Sequence, residues 1–529
     1  MTKIFEYDAL WQYQATDAEV PADPAALVVP EADWLGPEPA PFGTIGGADL
    51  VDYPPATVWP LGTGIWMRRA ITLDIASDLL LTGVAENQCF VYFDGVFVGA
   101  YNPTGVQLGD FATWSISIPA SVATAGTHEL ALLCQDELPA AGSIYFYAEA
   151  EILPPVFPLW PSAPMTEALE WLTDVIVAED STEDRGMMRV TPRQSLDMRF
   201  YVPTIYQPLL KNLLWANRAK QWLVPFWPHV QHVGAVAAGD TTLTVSTDFV
   251  DFREQGLALI WQSPDAFQIV GIAEIADSDT LIINQPTRSF ADAHVLPLRR
   301  GFTPGDPTRR FDGRKSSVQA SFLIEENEQF AVSAPAQYEG RDIYFEAGVL
   351  EGDGLDEQMT VALDVFDEAL GGVSYSTAWP TPRPRRPHRV VRDGLEEAWA
   401  LRRWLHRRAG RFRDFWQPTF EADLIVRSTG ALTTALIVRA DDYLRYANNR
   451  THIAVETAAG WLPRKIMSAA QIGLDTVQLV LDTSLAIDAA AIKRVSWLGL
   501  WRQDADRVEI NWLGGQVCAA TLPILEISP

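Results

Sequence analysis

The chain repeats itself once, at the spacing of a whole domain, and this constrains its fold more than any single motif does. PTIYQPLLKNLLWANRAKQWLVPFWP (203–228) and GLEEAWALRRWLHRRAGRFRDFWQP (394–418) each carry a helix-length amphipathic segment that ends in basic residues. Each then runs into an aromatic pair and a proline, Phe226-Trp227-Pro228 and Phe415-Trp416-Gln417-Pro418, so that Trp416 answers Trp227. Downstream, Asp279-Thr280-Leu281-Ile282-Ile283 answers Asp475-Thr476-Val477-Gln478-Leu479, and Val318-Gln319-Ala320-Ser321-Phe322 answers Val508-Glu509-Ile510-Asn511-Trp512, at nearly the same offset. This period is too long for a solenoid, so the pattern predicts two versions of one domain in tandem, residues 163–350 and 351–529.

At 529 residues the chain exceeds what one core usually supports. Hydrophobic residues make up 48% and charged ones 20%, the balance of a packed globular protein. Short β-branched and aromatic runs between Gly and Pro signals predict a mainly β fold. No apolar run reaches membrane-spanning length, and no signal pattern follows MTKIFEYDAL, so a soluble protein made in the cytoplasm is expected. The net charge of −28 argues against a general nucleic-acid binder. It is also uneven: residues 1–160 hold 3 basic against 20 acidic residues, the rest 37 against 48. With prolines at 154, 155, 158, 161 and 164, that break marks residues 1–160 as a separate domain. Cys89, Cys134 and Cys518 offer neither a disulfide framework nor metal spacing, and Cys89 and Cys134 read as buried thiols.

Residues 1 to about 55 are rich in Pro, Ala and acid, and are expected to wrap the domain that follows. From Thr57 a series of short strands begins, with Asp94-Gly95 as a hairpin turn between apolar runs. IWMRRAITL, VYFDGVFVGAYN, WSISIP and HELALLCQDE resemble the galactose-binding-like jelly roll, an accessory domain of β-galactosidase-type glycoside hydrolases and of carbohydrate-binding modules. The resemblance implies a jelly-roll β-sandwich. For a sugar site, Trp66, Tyr101, Asn102 and Trp114 are the candidate aromatic plate and polar neighbours, beside the plainer reading that the aromatics are core. The resemblance also allows a calcium site using Asp94 or Asp110.

EWLTDVIVAEDSTEDRGMMRVTPRQS, with the helix and the VPFWP after it, resembles the opening of a tail-tip protein of a long-tailed bacteriophage or prophage. Trp171, Thr173, Asp174 and Val175, then Glu183 and Arg185, then Arg189, Pro192 and Arg193 carry the likeness; GRFRDFWQPTFEADL carries it in the second version. There the opening has become ALDVFDEALGG, and PTPRPRRPHRVV replaces PRQSLDMRFYV, so the two cannot make identical contacts. The resemblance implies a structural virion protein of the distal-tail or hub type, located in the tail tip. Its implied architecture is an N-terminal jelly roll followed by two duplicated, tail-tube-like β-barrel or sandwich domains with one helix each. Its implied partners are the tail tube, the tape measure and a central hub or fibre. The implied assembly is a homotrimer or homohexamer ring through which DNA passes without specific binding, with a cell-surface glycan as a further partner and no membrane insertion.

Between Arg383 and Arg413 stand 11 arginines against three acids. Arg402, Arg403, Arg407, Arg408, Arg411 and Arg413 are the candidates for docking on carboxylates of a neighbouring subunit or of the acidic N-terminal domain. A solvated helix face and a nucleic-acid contact are the alternatives. No catalytic or cofactor-binding constellation is recognisable. His229 and His232 in HVQH lack a third ligand, and there is no nucleophile elbow or phosphate-cradling loop. A non-enzymatic chain without cofactor is expected. A host-surface sugar-binding protein and an accessory chain of a glycosidase remain as alternatives.

Overall fold

The computed structural model describes residues 2–16, 24–45, 53–85, 88–101, 112–135, 144–284, 286, 288–311, 313, 315–327, 330, 332, 334–350, 354–367, 369, 371–379, 381–447, 449–514 and 516–527. The chain is mainly β and divides into two compact units, residues 1–165 with 195–326, and residues 166–194 with 327–529.

The first unit begins with a sandwich of two sheets. One orders Ala112–Ile118, Leu79–Ala85, Ile144–Ile152, Phe42–Thr44 and Thr57–Val58, with Thr2–Phe5 added to Ile144–Ile152. The other orders Leu35–Pro39, Leu10–Thr16, Gly64–Leu73, Gly126–Gln135, Gln88–Phe93 and Val96–Tyr101. The N-terminal stretch is therefore woven into both sheets, and Trp11 is fully buried in the core between them. Asp94 and Gly95 both take positive φ, 49° and 76°, as the predicted two-residue turn requires. Cys89 and Cys134 face each other across paired strands, both buried.

After the sandwich the same order of elements occurs twice. Glu183–Pro203 leads into helix α1 (Gln207–Asn217), and Arg383–Asp393 leads into helix α2 (Leu395–Arg408). The leading strands pair with Lys315–Ile324 and Val517–Ile527 respectively. The strand after each helix, Trp222–Pro225 or Phe415–Pro418, pairs with Phe290–Phe302 or Arg494–Gln503. Leu257–Ser263 with Ala266–Asp277 corresponds to His452–Thr457 with Gly460–Gly473, and Thr280–Ile283 to Thr476–Leu481. The correspondence starts further upstream than the repeat in the sequence. Val156 bridges Leu223 in parallel, as Ile343 pairs in parallel with Trp416.

Two sequence equivalences need correcting. The counterpart of Phe415–Pro418 is Trp222–Pro225, not Phe226-Trp227-Pro228: Pro225 lies opposite Leu298 where Pro418 lies opposite Leu498. WLVPFWP holds two aromatic-to-proline steps in close succession, and sequence alone selects the wrong one. Likewise Val508–Trp512 corresponds to Thr308–Phe311, whereas Val318–Phe322 lies on the next strand, whose counterpart is Val517–Ile527. Adjacent antiparallel strands share the same alternation, so a slip by one strand leaves the pattern intact.

The first version closes its core around Phe157, Phe200, Leu210, Trp222 and Phe322, with Leu213 and Leu214 of α1 partly buried against it. In α2, Glu396 and Glu397 stand in the first turn and His406, Arg407 and Arg408 in the last, the arrangement that the helix dipole favours. Among the described residues no helix is long and apolar enough to cross a membrane.

Candidate assembly interface

Each version carries a β-hairpin arm ahead of its helix. The first arm is Ser162–Val177 and Glu183–Pro203. Its base belongs to the first unit, while residues 166–194 belong to the second. Within the second unit the arm adds to Arg507–Gly514. The Thr166 hydroxyl donates to Asn511 Oδ1 (2.8 Å), and Trp171 N donates to Asp506 O (3.0 Å).

The arginine segment meets this arm. Arg402 pairs with Glu167 at 2.9 Å, both side chains being at most 2% exposed, and Glu167 also accepts from Gln194 Nε2 (2.7 Å) and Trp512 Nε1 (3.2 Å). The Arg402 guanidinium lies 4.8 Å over the Phe330 ring and 5.3 Å over Trp399. At the far end of the arm Glu183 is clamped by Arg383 and by Arg502, the latter at 2.7 Å. Asp414 bridges Arg185 and Arg341, each at 2.6 Å. Asp506 accepts from Thr173 N (2.9 Å) and Oγ1 (2.8 Å), and from Arg411 N (3.0 Å). Behind the arm Asp342 holds Arg407 at 2.7 Å and also Arg408.

The expected role of these arginines is therefore corrected. Arg402, Arg407, Arg408 and Arg411 find their carboxylates within the same chain, and Arg402 and Arg408 are too deeply buried to reach another subunit. Their carboxylates are Glu167 on the arm, Asp342 and Asp506, none of them in the acidic N-terminal domain. Arg403 is half-buried, and the Arg413 side chain is exposed. The sequence held the signal in Glu167 and Glu183, but only the fold shows that the arm belongs to the second unit.

Buried ion pairs of this kind set local pKa values. Burial alone raises the Glu183 carboxyl, but the hydrogen bonds from Arg502 and Arg383 outweigh it and hold it below the usual range. At Asp506 burial is likewise outweighed, by the Arg411 and Thr173 hydrogen bonds. A carboxyl with a lowered folded pKa contributes stability at every pH above its unfolded value, and that contribution disappears as pH falls through the folded value. Acidification from neutral pH to about 4 therefore leaves the arm docked, and further acidification releases it. Hydrogen exchange of the 166–194 amides across this range, with core strand 494–503 as reference, measures the release.

The sugar-site candidates do not assemble. Trp66 is buried on the outer face of its sheet with Phe90, Tyr92 and Leu133, beneath the segment containing Leu27, Val29 and Trp34. Trp114 lies in the sandwich core, stacked 5.9 Å from Phe146. Tyr101 is half-buried against that core. Asn102 and Asp110 lie outside the described residues. Asp94 is engaged with His128 Nδ1 (2.7 Å) and Glu129 N (2.8 Å). His229 is buried and accepts from Asp251 N (2.9 Å), while His232 is exposed and pairs with Asp292 (2.6 Å).

A cavity of about 290 Å³ in the second unit is lined by Trp416, Tyr446, Arg450, His452, Trp497 and Glu526, among others. Burial raises the Glu526 carboxyl despite Arg450 at 3.6 Å, and it is the one carboxyl among the described lining residues. An acid pair flanking a glycosidic bond needs two.

No protein family profile and no curated protein matches this sequence. Among solved structures, a Faecalibacterium prausnitzii β-glucuronidase aligns at 13% identity over 37% of this chain and 43% of its own, with a TM-score of 0.21. A calcium-binding mutant of Bacteroides uniformis β-glucuronidase 2 aligns at 11% identity over 65% of this chain and 35% of its own, with a TM-score of 0.19. An anti-sigma factor domain-containing protein from Clostridium clariflavum aligns at 8% identity over 60% of this chain and 96% of its own, with a TM-score of 0.17. The chain thus spans less than half the length of either β-glucuronidase, and likenesses this slight carry no argument about activity.

Proposed function

We propose that this chain is a structural protein of a long-tailed phage or prophage tail tip, of the distal-tail or hub type, forming part of a ring around the DNA channel. The observation that carries the reading is the doubled order of strands and helix, each with its own arm ahead of the helix. With two versions per chain, three chains supply six similar ring positions, the number needed to join a six-fold tube to a three-fold tip. The resemblance of the first arm and helix to tail-tip openings supports the same reading, and tail tube, tape measure and central hub or fibre are the partners it entails. A net charge of −28 suits a lumen through which DNA must pass without adhering, because like charge removes the phosphate contacts that supply affinity. The N-terminal sandwich then occupies the periphery, and a cell-surface glycan remains a ligand to be tried there.

The decisive experiment is the mass of the full-length protein by light scattering, followed by ring-averaged electron micrographs. Closed rings with six lobes and a central hole are expected. A monomer that stays monomeric at high protein concentration, alone and with tail-tube protein, overturns the reading.

A further inference from the structure

The two arms have opposite fates. The first is docked, whereas the second, Gln358–Thr360, Asp364–Asp367 and Val373–Ser376, is exposed along its length. Its large apolar side chains Met359, Leu363, Val365, Phe366, Val373 and Tyr375 are between 49% and 73% exposed. Both arms occupy the same place relative to the helix they precede. Counting back from Pro203 and Asp393, which lie opposite the first residue of the closing strand in each version, Thr173-Asp174-Val175 stands where Leu363-Asp364-Val365 stands.

The surface that receives an arm also exists twice, and among the described residues only one is occupied. In the second version it is Arg507–Gly514 with α2. There Trp512 lies opposite Cys518, the second residue of the closing strand, and is buried with its indole N–H on Glu167 of the first arm. In the first version it is Thr308–Phe311 with α1. There Phe311 lies opposite Ser316, again the second residue of the closing strand, yet is 56% exposed. All four residues of Thr308–Phe311 are exposed, as are Ile205 and Trp215 at α1.

Charge matches the unused arm to the unused surface. From Asp342 to Pro382 the chain has no Lys or Arg, and Asp356, Glu357, Asp364 and Asp367 flank or form the arm's strands. The vacant strand carries Arg309 and Arg310, with Lys315 opening the strand after it. The docked arm follows the same rule, placing Glu167 and Glu183 on Arg402, Arg383 and Arg502.

We propose that the second arm docks on Thr308–Phe311 and the adjacent α1 face of a second copy of this chain, as the first arm docks on Arg507–Gly514 and α2. The contact is heterologous, so successive copies join head to tail and close into a ring when the rotation between them permits. It deepens the ring reading above, from which it takes the premise that copies of the chain associate.

The test uses full-length protein carrying Asp356→Cys and Arg310→Cys. Arg310 occupies the position of Asn511, which binds Thr166 at the base of the docked arm, and Asp356, counted back from Asp393 as Thr166 is from Pro203, occupies the position of Thr166. Cys89, Cys134 and Cys518 are all buried and contribute little background. Mild oxidation is expected to give a ladder of covalent dimers and larger species that neither single variant gives. Separately, Asp356→Arg is expected to weaken self-association about tenfold, with recovery when Arg310→Glu is added. Monomers after oxidation, or unchanged association on charge reversal, overturn the proposal. Rings in micrographs without the crosslink also overturn it while leaving the ring reading intact. Crosslinked open chains without rings uphold the arm contact and overturn the ring.

Discussion

Glu167→Ala destabilises the second unit by about 3–5 kcal/mol, because it strands the Arg402 guanidinium without its carboxylate in a site that water does not reach. Both side chains are at most 2% exposed, and Glu167 also takes the Trp512 and Gln194 N–H groups, so three donors lose an acceptor at once. Denaturant unfolding measures the cost, and hydrogen exchange shows where it falls: protection is lost first across 166–194. The double variant Glu167→Met with Arg402→Met recovers the share of the loss that the stranded guanidinium causes, since two apolar side chains of similar length remove the buried charges together, while the Gln194 and Trp512 N–H groups still lose Glu167. Recovery of this kind separates charge burial from loss of packing. A single variant as stable as the wild type would show that the arm is not held by this pair.

Gly83→Ala unfolds the N-terminal sandwich, at a cost of about 3 kcal/mol or more. Gly83 sits on a central strand opposite Ala148 on one side and Trp114 on the other. A Cβ there falls far inside contact distance of the Tyr147 carbonyl oxygen, and within 3.0 Å of the Trp114 ring and 3.1 Å of Ala148 Cα. Two of these three neighbours are backbone, so no rotamer change relieves the clash; the strands must separate. Near-ultraviolet circular dichroism, which reports the Trp114–Phe146 stack, is expected to collapse before the signal of the second unit changes. Retention of that signal at wild-type melting temperature would refute the packing argument.

Much of this architecture could be read from the sequence because it rests on local chemistry. Alternation and the Asp94-Gly95 turn point to the sandwich, and the amphipathic segment within 203–228 points to α1. The echo of one half of the chain in the other predicts a doubling, and the same strand order does occur twice, with the matched strands one ladder out of register in places. What could not be read was long-range. The crowd of arginines between Arg383 and Arg413 looks like a binding surface, and no local pattern shows that Glu167 and Glu183, far upstream in the chain, are folded back to neutralise them. Trp66 and Trp114 failed as an aromatic plate for a related reason. Alternation tells that a tryptophan points to one face of a sheet, but not that the chain between Leu27 and Trp34 returns to cover that face.

The parallel bridges at Val156 and Ile343 move the true edge of the duplicated segment. Each version has a leader segment paired in parallel with the strand that follows its helix, so the repeated unit takes in residues ahead of each arm. An expression clone started at residue 163 or 351 would amputate that leader and expose Leu223 or Trp416, which is reason to place such boundaries upstream of Pro155 and Gln337.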